Sequence, residues 1–404
     1  AGMSWNCQIM AVRVGYGTPN GHGVLDEDDA IAGLYYAVAN GADVINMSFA
    51  GVASDSMRAV VGYADSAGVV LVAAVGNEGS SVKGFSYPAA YDEVIGVAAT
   101  DSTDNRAGFS NYGSWIELSA PGVSILSTAV DDAYSTASGT SLSSPLVCGV
   151  AALILSENPS FSDEEVRQRL RSSVVDLGTP GWDPYYGYGR VDAARAVGSA
   201  STAEAEIRSP KLDDMVSGTI SVTGRASASD FVEYSVYLGD GDMPSQWTQI
   251  GTTSLMPSSF LLATWDTTSS PDGNYTLRLI VKTVSSQFED RKIVRVENAK
   301  LQVTYPMLRS VFRTGDLIPF RGTASANSFR SYLIEWGEGA TPESWLTSGV
   351  TLSNGGSQPV TNGTLGLWDT SVLPGDGTYT FRVTVRYGGA FEKTASFQID
   401  FDSQ

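Results

Sequence analysis

The chain has 404 residues, of which 42% are apolar, and its 44 acidic and 25 basic residues give a net charge of −19. The apolar content indicates folded cores rather than disorder, and the length suits about three domains. The charge excludes nucleic acid and anionic membranes as partners bound by general electrostatics. No apolar run approaches the ~20 residues of a membrane span. Only Cys7 and Cys148 are present, which excludes a disulfide framework.

Apolar residues in the first hundred positions alternate between the periods of strands and helices. Ile31, Leu34, Tyr35 and Val38, for example, mark one helix face after four acidic residues that favour a helix start. In chain order the patterns predict a strand at 9–14, a helix at 26–40, a strand at 44–47, a helix near 57–67, and strands at 69–75 and 94–98. Residues 69–75 are almost wholly apolar, as in a strand covered on both faces. The alternation predicts a doubly wound α/β fold with a parallel sheet.

Two turns follow predicted parallel strands, and in such folds the chemistry collects at the carboxyl edge of the sheet. The first turn comprises Ser48, Phe49, Ala50 and Gly51. The second places Asn77 directly after the buried strand, between glycines. Asparagine is common in turns, yet its amide can also donate a hydrogen bond to an oxyanion. This pattern alone leaves both interpretations of Asn77 open.

The segment Gly139-Thr140-Ser141 precedes a long apolar run, which predicts a buried helix ending near Glu157. Ser141 therefore lies at the helix N-terminus, beside unpaired N–H groups and the positive end of the helix dipole. That position suits a nucleophile whose reaction develops an oxyanion. Serine is also a common helix cap, and the motif alone favours the cap.

Beyond residue 205 the period changes to that of half-buried strands, and this region repeats itself. Seven residues from Gly224 to Trp247 recur 98 positions later, from Gly322 to Trp345, and Trp265-Asp-Thr recurs at Trp368. The duplication predicts two β-sandwiches of immunoglobulin-like size. We therefore predict an α/β domain at 1–198, a linker at 199–205, a first repeat at 206–299 and a second repeat at 300–404.

Five stretches, taken in order, resemble the subtilisin-like serine proteases (subtilases). They are residues 44–51, 72–79, 109–127, 139–145 and 187–192, and the likeness covers residues 1 to about 198. The resemblance implies a subtilisin-like sheet that lacks its first strands. It implies that Ser141 is the acylated nucleophile and that the Asn77 amide and the Ser141 N–H are the oxyanion donors. It also implies two substrate-binding segments: Ser48, Phe49, Ala50 and Gly51 pair with an extended peptide, while Ala73, Ala74, Val75 and Gly76 line the pocket for the residue before the scissile bond.

A serine hydroxyl is a weak nucleophile without an adjacent base, normally a histidine oriented by a carboxylate. The only histidine is His22, in a loop where the family has no catalytic group, and we interpret it as a surface residue. The resemblance places the family's aspartate and histidine upstream of the stretch that matches Ala1-Gly2-Met3. We therefore expect this chain to be a fragment of a longer protease and to be inactive alone.

The resemblance implies polypeptide substrates and an extracellular location. Many subtilases bind structural calcium, but no full ligand set can be mapped here, so we assign no cofactor or metal. A second hypothesis is a secreted non-catalytic protein whose β-repeats bind a cell surface or polysaccharide. Trp247, Trp265, Trp345 and Trp368 are then candidate platforms for sugar stacking, although their recurrence at equivalent positions suits core packing equally well.

Overall fold

A computed structural model describes residues 2–17, 23–81, 86–129, 132–198, 202–257, 259–307 and 311–401. His22 lies outside the described residues. The chain divides into two compact units. The first unit comprises residues 1–212, 223–263 and 276–293, and the second comprises residues 213–222, 264–275 and 294–404. Each unit is described separately below.

The described part of residues 2–198, which we call the α/β region, contains both helices and strands. In chain order they are β1 Gly15–Gly17, β2 Gly23–Leu25, α1 Glu27–Ala39, β3 Val44–Met47, α2 Asp55–Ser66, β4 Val70–Ala74, β5 Val94–Thr100, β6 Leu118–Pro121, β7 Ile125–Thr128, β8 Tyr134–Ala137, α3 Thr140–Glu157, α4 Asp163–Ser172 and α5 Ala193–Gly198. The helices and strands predicted between residues 26 and 98 are found within a few residues of their predicted bounds. Ser162 and Glu165 form the capping box of α4.

The strand predicted at 9–14 is wrong, because these residues form no strand in the structure. Val12 and Val14 pack instead against α1 at Gly33, whose missing side chain leaves room for their methyl groups. Ile9 points to solvent and is 91% exposed. The apolar side chains of Val12 and Val14 therefore pack against a helix. A strand also requires a neighbouring backbone with which to form hydrogen bonds.

Strands β3 to β6 form a parallel sheet in the order β3-β4-β5-β6. Strand β4 is buried along its whole length because the sheet is covered on both faces. Leu71 and Ala73 belong to a core shared with α1 and α2, whereas Val70 and Val72 belong to a core shared with α3, α4 and α5. The structure therefore confirms the predicted parallel sheet with helices on both faces, and strand β3 forms one of its edges.

Helix α3 is long and apolar, and by length and composition alone it could span a membrane. Its Val147, Val150, Ala151 and Ile154 are nevertheless fully buried against the sheet. Core helices of soluble proteins satisfy the same length and composition criteria. This packing explains why the helix is long and apolar, and it brings the first turn of α3 to the carboxyl edge of the sheet.

The regular secondary structure of the remaining described residues is almost all β. The strands are β9 Glu204–Ser209, β10 Met215–Val216, β11 Thr219–Ser227, β12 Phe231–Asp240, β13 Thr248–Thr253, β14 Leu261–Asp266, β15 Gly273–Thr283, β16 Gln287–Val296, β17 Ala299–Tyr305, β18 Val311–Phe312, β19 Leu317–Ala326, β20 Phe329–Glu338, β21 Val350–Leu352, β22 Val360–Asp369, β23 Gly377–Tyr387 and β24 Phe391–Phe401. Short 3-10 helices occur at Thr267–Ser269, Ser353–Gly356 and Thr370–Val372. Strand β9 begins inside the predicted linker, at Glu204.

The β-rich part of the second unit contains two four-stranded sheets, in the orders β17-β19-β22-β21 and β18-β24-β23-β20. Both sheets contribute side chains to one hydrophobic core. Trp368 lies in this core, fully buried, with its ring centroid 4.5 Å from that of Phe381. Trp265, its counterpart in the first repeat, is 5% exposed. Two of the four candidate sugar-stacking tryptophans are therefore core residues, whereas Trp247 and Trp345 are half-buried.

Candidate active site

Ser141 is the second residue of helix α3, whose N-cap is Gly139. The side chain of Ser141 is partly exposed, and its Oγ donates a hydrogen bond to the backbone carbonyl of Ser48 over 3.3 Å. Ser48 directly follows strand β3. The hydroxyl thus lies at the carboxyl edge of the parallel sheet, where the first-turn N–H groups of α3 create a positive potential.

Asn77 reaches the same helix N-terminus from the turn after strand β4. Its Oδ1 accepts hydrogen bonds from the Thr140 N–H at 2.8 Å and from Thr140 Oγ1 at 3.0 Å. A methyl group placed on Gly139 would lie 3.6 Å from Asn77 Nδ2 and 3.8 Å from the Ser141 backbone nitrogen. The amide of Asn77 and the backbone nitrogen of Ser141 therefore both lie within 3.8 Å of this one point beside Gly139. Because Oδ1 is held by Thr140, Nδ2 is the part of the amide that can donate to a ligand.

The turn that carries Asn77 is shaped by Asn111, which is 1% exposed. Asn111 Oδ1 accepts from the backbone N–H groups of Glu78 and Ser80, and its Nδ2 donates to the Val75 carbonyl at 3.0 Å. Gly76 has a φ of +99°, and a side chain there would lie 2.5 Å from Asn111 Nδ2. Only glycine fits this position, so Gly76 and Asn111 together fix the direction in which Asn77 points.

A second hydrogen-bonded chain holds Ser141 from the other side. Ser144 Oγ donates to Asn46 Oδ1, Asn46 Nδ2 donates to Ser48 Oγ at 2.9 Å, and Ser48 Oγ donates to the Ser141 carbonyl at 3.0 Å. Pro145 lies four residues after Ser141 and has no N–H for that carbonyl. The Ser48 hydroxyl therefore replaces the missing helical hydrogen bond.

The predicted substrate segments differ in accessibility. Among residues 48–51, Ala50 is exposed, and Gly51 pairs with Tyr87 through two backbone hydrogen bonds of 2.8 and 3.2 Å. Ala73, Ala74 and Val75 are at most 3% exposed, with Ala73 and Val75 in the sheet core. The side chains of the second segment thus contribute to the core, and any contact with a ligand would have to come from its backbone.

Sequence reasoning assigned no role to Thr140, Asn111 or Asn46. Asn46 stands within the apolar stretch of β3 but is exposed, so the strand pattern gave no sign that its amide joins Ser144 to Ser48. Asn111 lies in the stretch 109–127, but the hydrogen bonds of its side chain join residues 25 to 36 positions apart. Cys148 has its Sγ 3.8 Å from Asn46 Oδ1, and burial raises the pKa of this thiol, which disfavours a reactive thiolate.

Within the described ranges, no group of three or more histidine, cysteine, aspartate or glutamate side chains is placed to hold a metal ion. What the site does contain is a hydroxyl, a side-chain amide and a helix N-terminus at one sheet edge, an arrangement that suits attack on a carbonyl with stabilisation of its oxyanion.

Comparison with known proteins decides the family. The profile of the subtilase family, Peptidase S8, matches residues 1–189. Subtilisin DY from Bacillus licheniformis is 42% identical over 198 residues, which cover 48% of this chain and 70% of that protein. The chain belongs to the subtilase family. The resemblance inferred from the five sequence stretches is thereby confirmed.

Other relatives of this subtilase share a smaller part of their length with it. The minor extracellular protease Epr from Bacillus subtilis is 37% identical over 221 residues, which cover 52% of this chain but only 33% of Epr. A solved lanthipeptide protease aligns with 28% identity and a TM-score of 0.42, covering 46% of this chain and 68% of that one. The roles of Ser141, Asn77 and the two substrate segments in this subtilase remain predictions.

Proposed function

We propose that this subtilase is a serine endopeptidase that hydrolyses peptide bonds of extracellular proteins. Ser141 Oγ attacks the carbonyl carbon of the scissile bond, and a base takes the hydroxyl proton. The tetrahedral oxyanion accepts hydrogen bonds from Asn77 Nδ2 and the Ser141 N–H. The amine then leaves with a proton, and water hydrolyses the acyl-enzyme to release the acid.

The observation that carries this proposal is the approach of Asn77 to the N-terminus of α3 at the residue preceding Ser141. The two donor groups, Asn77 Nδ2 and the Ser141 N–H, belong to residues 64 positions apart in sequence. A turn asparagine or a helix-capping serine requires no such meeting. Oxyanion stabilisation requires it, because the donors must converge where the negative charge develops.

The base is the part of the machinery that we assign outside these 404 residues. His22 is the only histidine, and the proposal gives it no catalytic role. We infer that an aspartate and a histidine are supplied by a further segment of a longer protein, and that residues 1–404 alone are inactive. Strand β3 forms an edge of the sheet next to Ser141, so the backbone there can accept a neighbouring strand.

The extracellular setting rests on the relative named an extracellular protease. The proposed arrangement is an α/β peptidase domain followed by two β-sandwich repeats, with polypeptides as substrates. Of the four tryptophans considered for sugar stacking, Trp265 and Trp368 are buried. Their burial weakens the alternative of a purely glycan-binding protein.

The test compares residues 1–404 with the same chain extended by its own upstream coding sequence. Both proteins are assayed for hydrolysis of a quenched fluorescent peptide. We expect hydrolysis by the extended protein only, and loss of hydrolysis in its Ser141→Ala variant. Ser156→Ala is the matched control, since Ser156 lies on the same helix and its hydroxyl donates only to the Leu153 carbonyl. Hydrolysis by residues 1–404 would contradict the proposal that the base lies on a further segment. An inactive extended protein would favour the alternative of a non-catalytic binding protein.

A further inference from the structure

The α/β region and the first repeat share a buried network of charges within the first unit. Glu117, next to β6, accepts hydrogen bonds from Arg167 Nε and Arg171 Nε of α4, each at 2.8 Å. Arg171 also donates to Asp290 of β16 at 3.1 Å. The side chains of Glu117, Arg171 and Asp290 are 7%, 7% and 3% exposed. One arginine thus joins a carboxylate of each part, away from solvent.

Further contacts lie beside this charge network, and we call the whole contact between the α/β region and the first repeat the junction. Asp290 Oδ2 also accepts the Ile207 N–H at 2.8 Å, and Lys292 lies 3.5 Å from Asp92. Gln168 of α4 donates to the backbone carbonyl of Ala205 at 2.9 Å. Each of these groups is either buried or hydrogen-bonded to backbone. The contacts are therefore directional polar interactions rather than non-specific surface contacts.

Another part of the junction consists of one arginine packed against two tryptophan rings. The Arg291 guanidinium lies 5.2 Å from the ring centre of Trp182 in the α/β region and 5.4 Å from that of Trp247 in the first repeat. Trp182 is itself anchored by a hydrogen bond from Nε1 to the Ile116 carbonyl. A small cavity of about 50 Å³ lies here, lined from one side by Trp115 and Ile116 and from the other by Ile293.

Of the two repeats, only the first carries the charged residues 290–292 that this junction uses. Aligning Tyr275 with Tyr379 gives a shift of 104 residues, and aligning the last residues of β16 and β24 gives a shift of 105. At 104 the counterparts of Asp290, Arg291 and Lys292 are Thr394, Ala395 and Ser396, and at 105 they are Ala395, Ser396 and Phe397. All of these counterparts are uncharged. The two repeats therefore differ in charge at corresponding positions of their last strands.

The geometry points to a specific role for the first repeat: it is an intramolecular partner of the α/β region that covers helix α4 and completes the charge balance of Glu117, Arg167 and Arg171. Residues 290–292 encode this docking. The first repeat is therefore a structural part of the peptidase domain rather than a spacer, and the second repeat cannot take its place. The inference is independent of peptidase activity.

The experiment uses the full chain of 404 residues and hydrogen–deuterium exchange. In Asp290→Ala, we expect faster exchange across α4 and a fall in Tm of roughly 5–10 °C, because Arg171 keeps its buried charge without one partner. The triple variant Asp290→Thr, Arg291→Ala, Lys292→Ser, which imitates the second repeat, should show the same changes more strongly. The matched control is Glu392→Ala, whose partner Arg386 is 51% exposed, and it should change neither quantity.

Because these variants can fail to fold, a second measurement uses the unmodified chain. Exchange is followed at increasing urea concentration, and we expect α4 and residues 287–293 to lose protection in a single transition. Separate transitions for the two segments would overturn the inference. Unchanged exchange of α4 in a folded Asp290→Ala variant would overturn it as well.

Discussion

Ser48 donates its hydroxyl to the backbone carbonyl of Ser141 over 3.0 Å. This is the carbonyl that Pro145 leaves without a helical donor. In return, the Ser141 hydroxyl donates to the Ser48 carbonyl at 3.3 Å. The helix that carries the proposed nucleophile is thus tied to the end of β3 by a reciprocal pair, and Asn46 orients one member of that pair.

Ser48→Ala should lower the free energy of unfolding by about 0.5–1.5 kcal/mol, the usual net value of one hydrogen bond. The cost should be smaller in a Pro145→Ala background, where residue 145 supplies an N–H to the same carbonyl. Urea unfolding of the four members of this double-mutant cycle measures the coupling. Equal costs in both backgrounds would show that the Ser48 hydroxyl does not replace the missing helical bond.

Asn77→Asp separates the two functions of the Asn77 amide. The aspartate can still accept from Thr140 but has no N–H for an oxyanion, and its charge opposes the developing negative charge. In the extended, active protein we expect kcat/KM to fall roughly 10- to 150-fold or more, the equivalent of losing about 1.5–3 kcal/mol from a charged hydrogen bond.

Asn77→Ala is the comparison for this variant, since it removes the acceptor as well. It should lose activity and also stability, because the Thr140 N–H loses its partner at the start of α3. Tm and kcat/KM are measured for both variants. An Asn77→Asp protein with unchanged kcat/KM would remove Asn77 from the catalytic machinery.

Glu164→Gln tests the alkaline side of the stability profile. Burial raises the pKa of Glu164 to about 8, from an ordinary value of 4.5, despite the nearby Arg171 and Arg167. Between these two pKa values the folded state binds a proton that the unfolded state has lost, so this group lowers stability as pH rises from about 4.5 to about 8. The variant should therefore be more stable than the parent at pH 8–9 and match it near pH 4.

Glu117→Gln should behave in the opposite way. Burial raises the pKa of Glu117, but Arg167 and Arg171 outweigh that effect and lower the pKa to about 2. The ionised carboxylate therefore contributes stability, on the order of 3 kcal/mol, that is full above about pH 4.5 and is lost as pH falls towards 2. Urea unfolding of both variants from pH 3 to pH 9 checks both signs, and parallel profiles for the two would contradict them.

Trp368→Ala and Trp345→Ala separate core packing from surface exposure in the second repeat. Trp368 is fully buried, and its truncation should cost about 3–5 kcal/mol. Trp345 is half-buried beneath the Arg382 guanidinium at 4.2 Å, and its truncation should cost about 1 kcal/mol. Urea unfolding followed by hydrogen exchange in strands β19 to β24 measures both costs, and similar values would show that Trp345 is also a core residue.

Local pattern was sufficient to predict most of the α/β region. The period of apolar residues places α1, β3, α2 and β4 within a few residues of their observed bounds, because burial on one face or on both imposes that period on the chain. The capping box at Ser162 and the internal repeat of the β-rich part could also be predicted, since each depends on residues close in sequence or on self-similarity. Ser141 and Asn77 were predicted as site residues through a resemblance spanning five ordered stretches.

Only the tertiary structure decided which groups meet. Asn111 shapes the turn at Gly76, Ser48 holds the Ser141 carbonyl, and Arg171 joins Glu117 to Asp290, and in each case the partners are separated by tens to more than a hundred residues. Periodicity specifies which face of a strand or helix is buried, but not which distant element covers it. A hydrogen bond or ion pair is satisfied only when two folded elements bring their atoms within about 3 Å. For that reason the sequence alone could determine the elements and the family, whereas the support of the site and the role of the first repeat depended on packing.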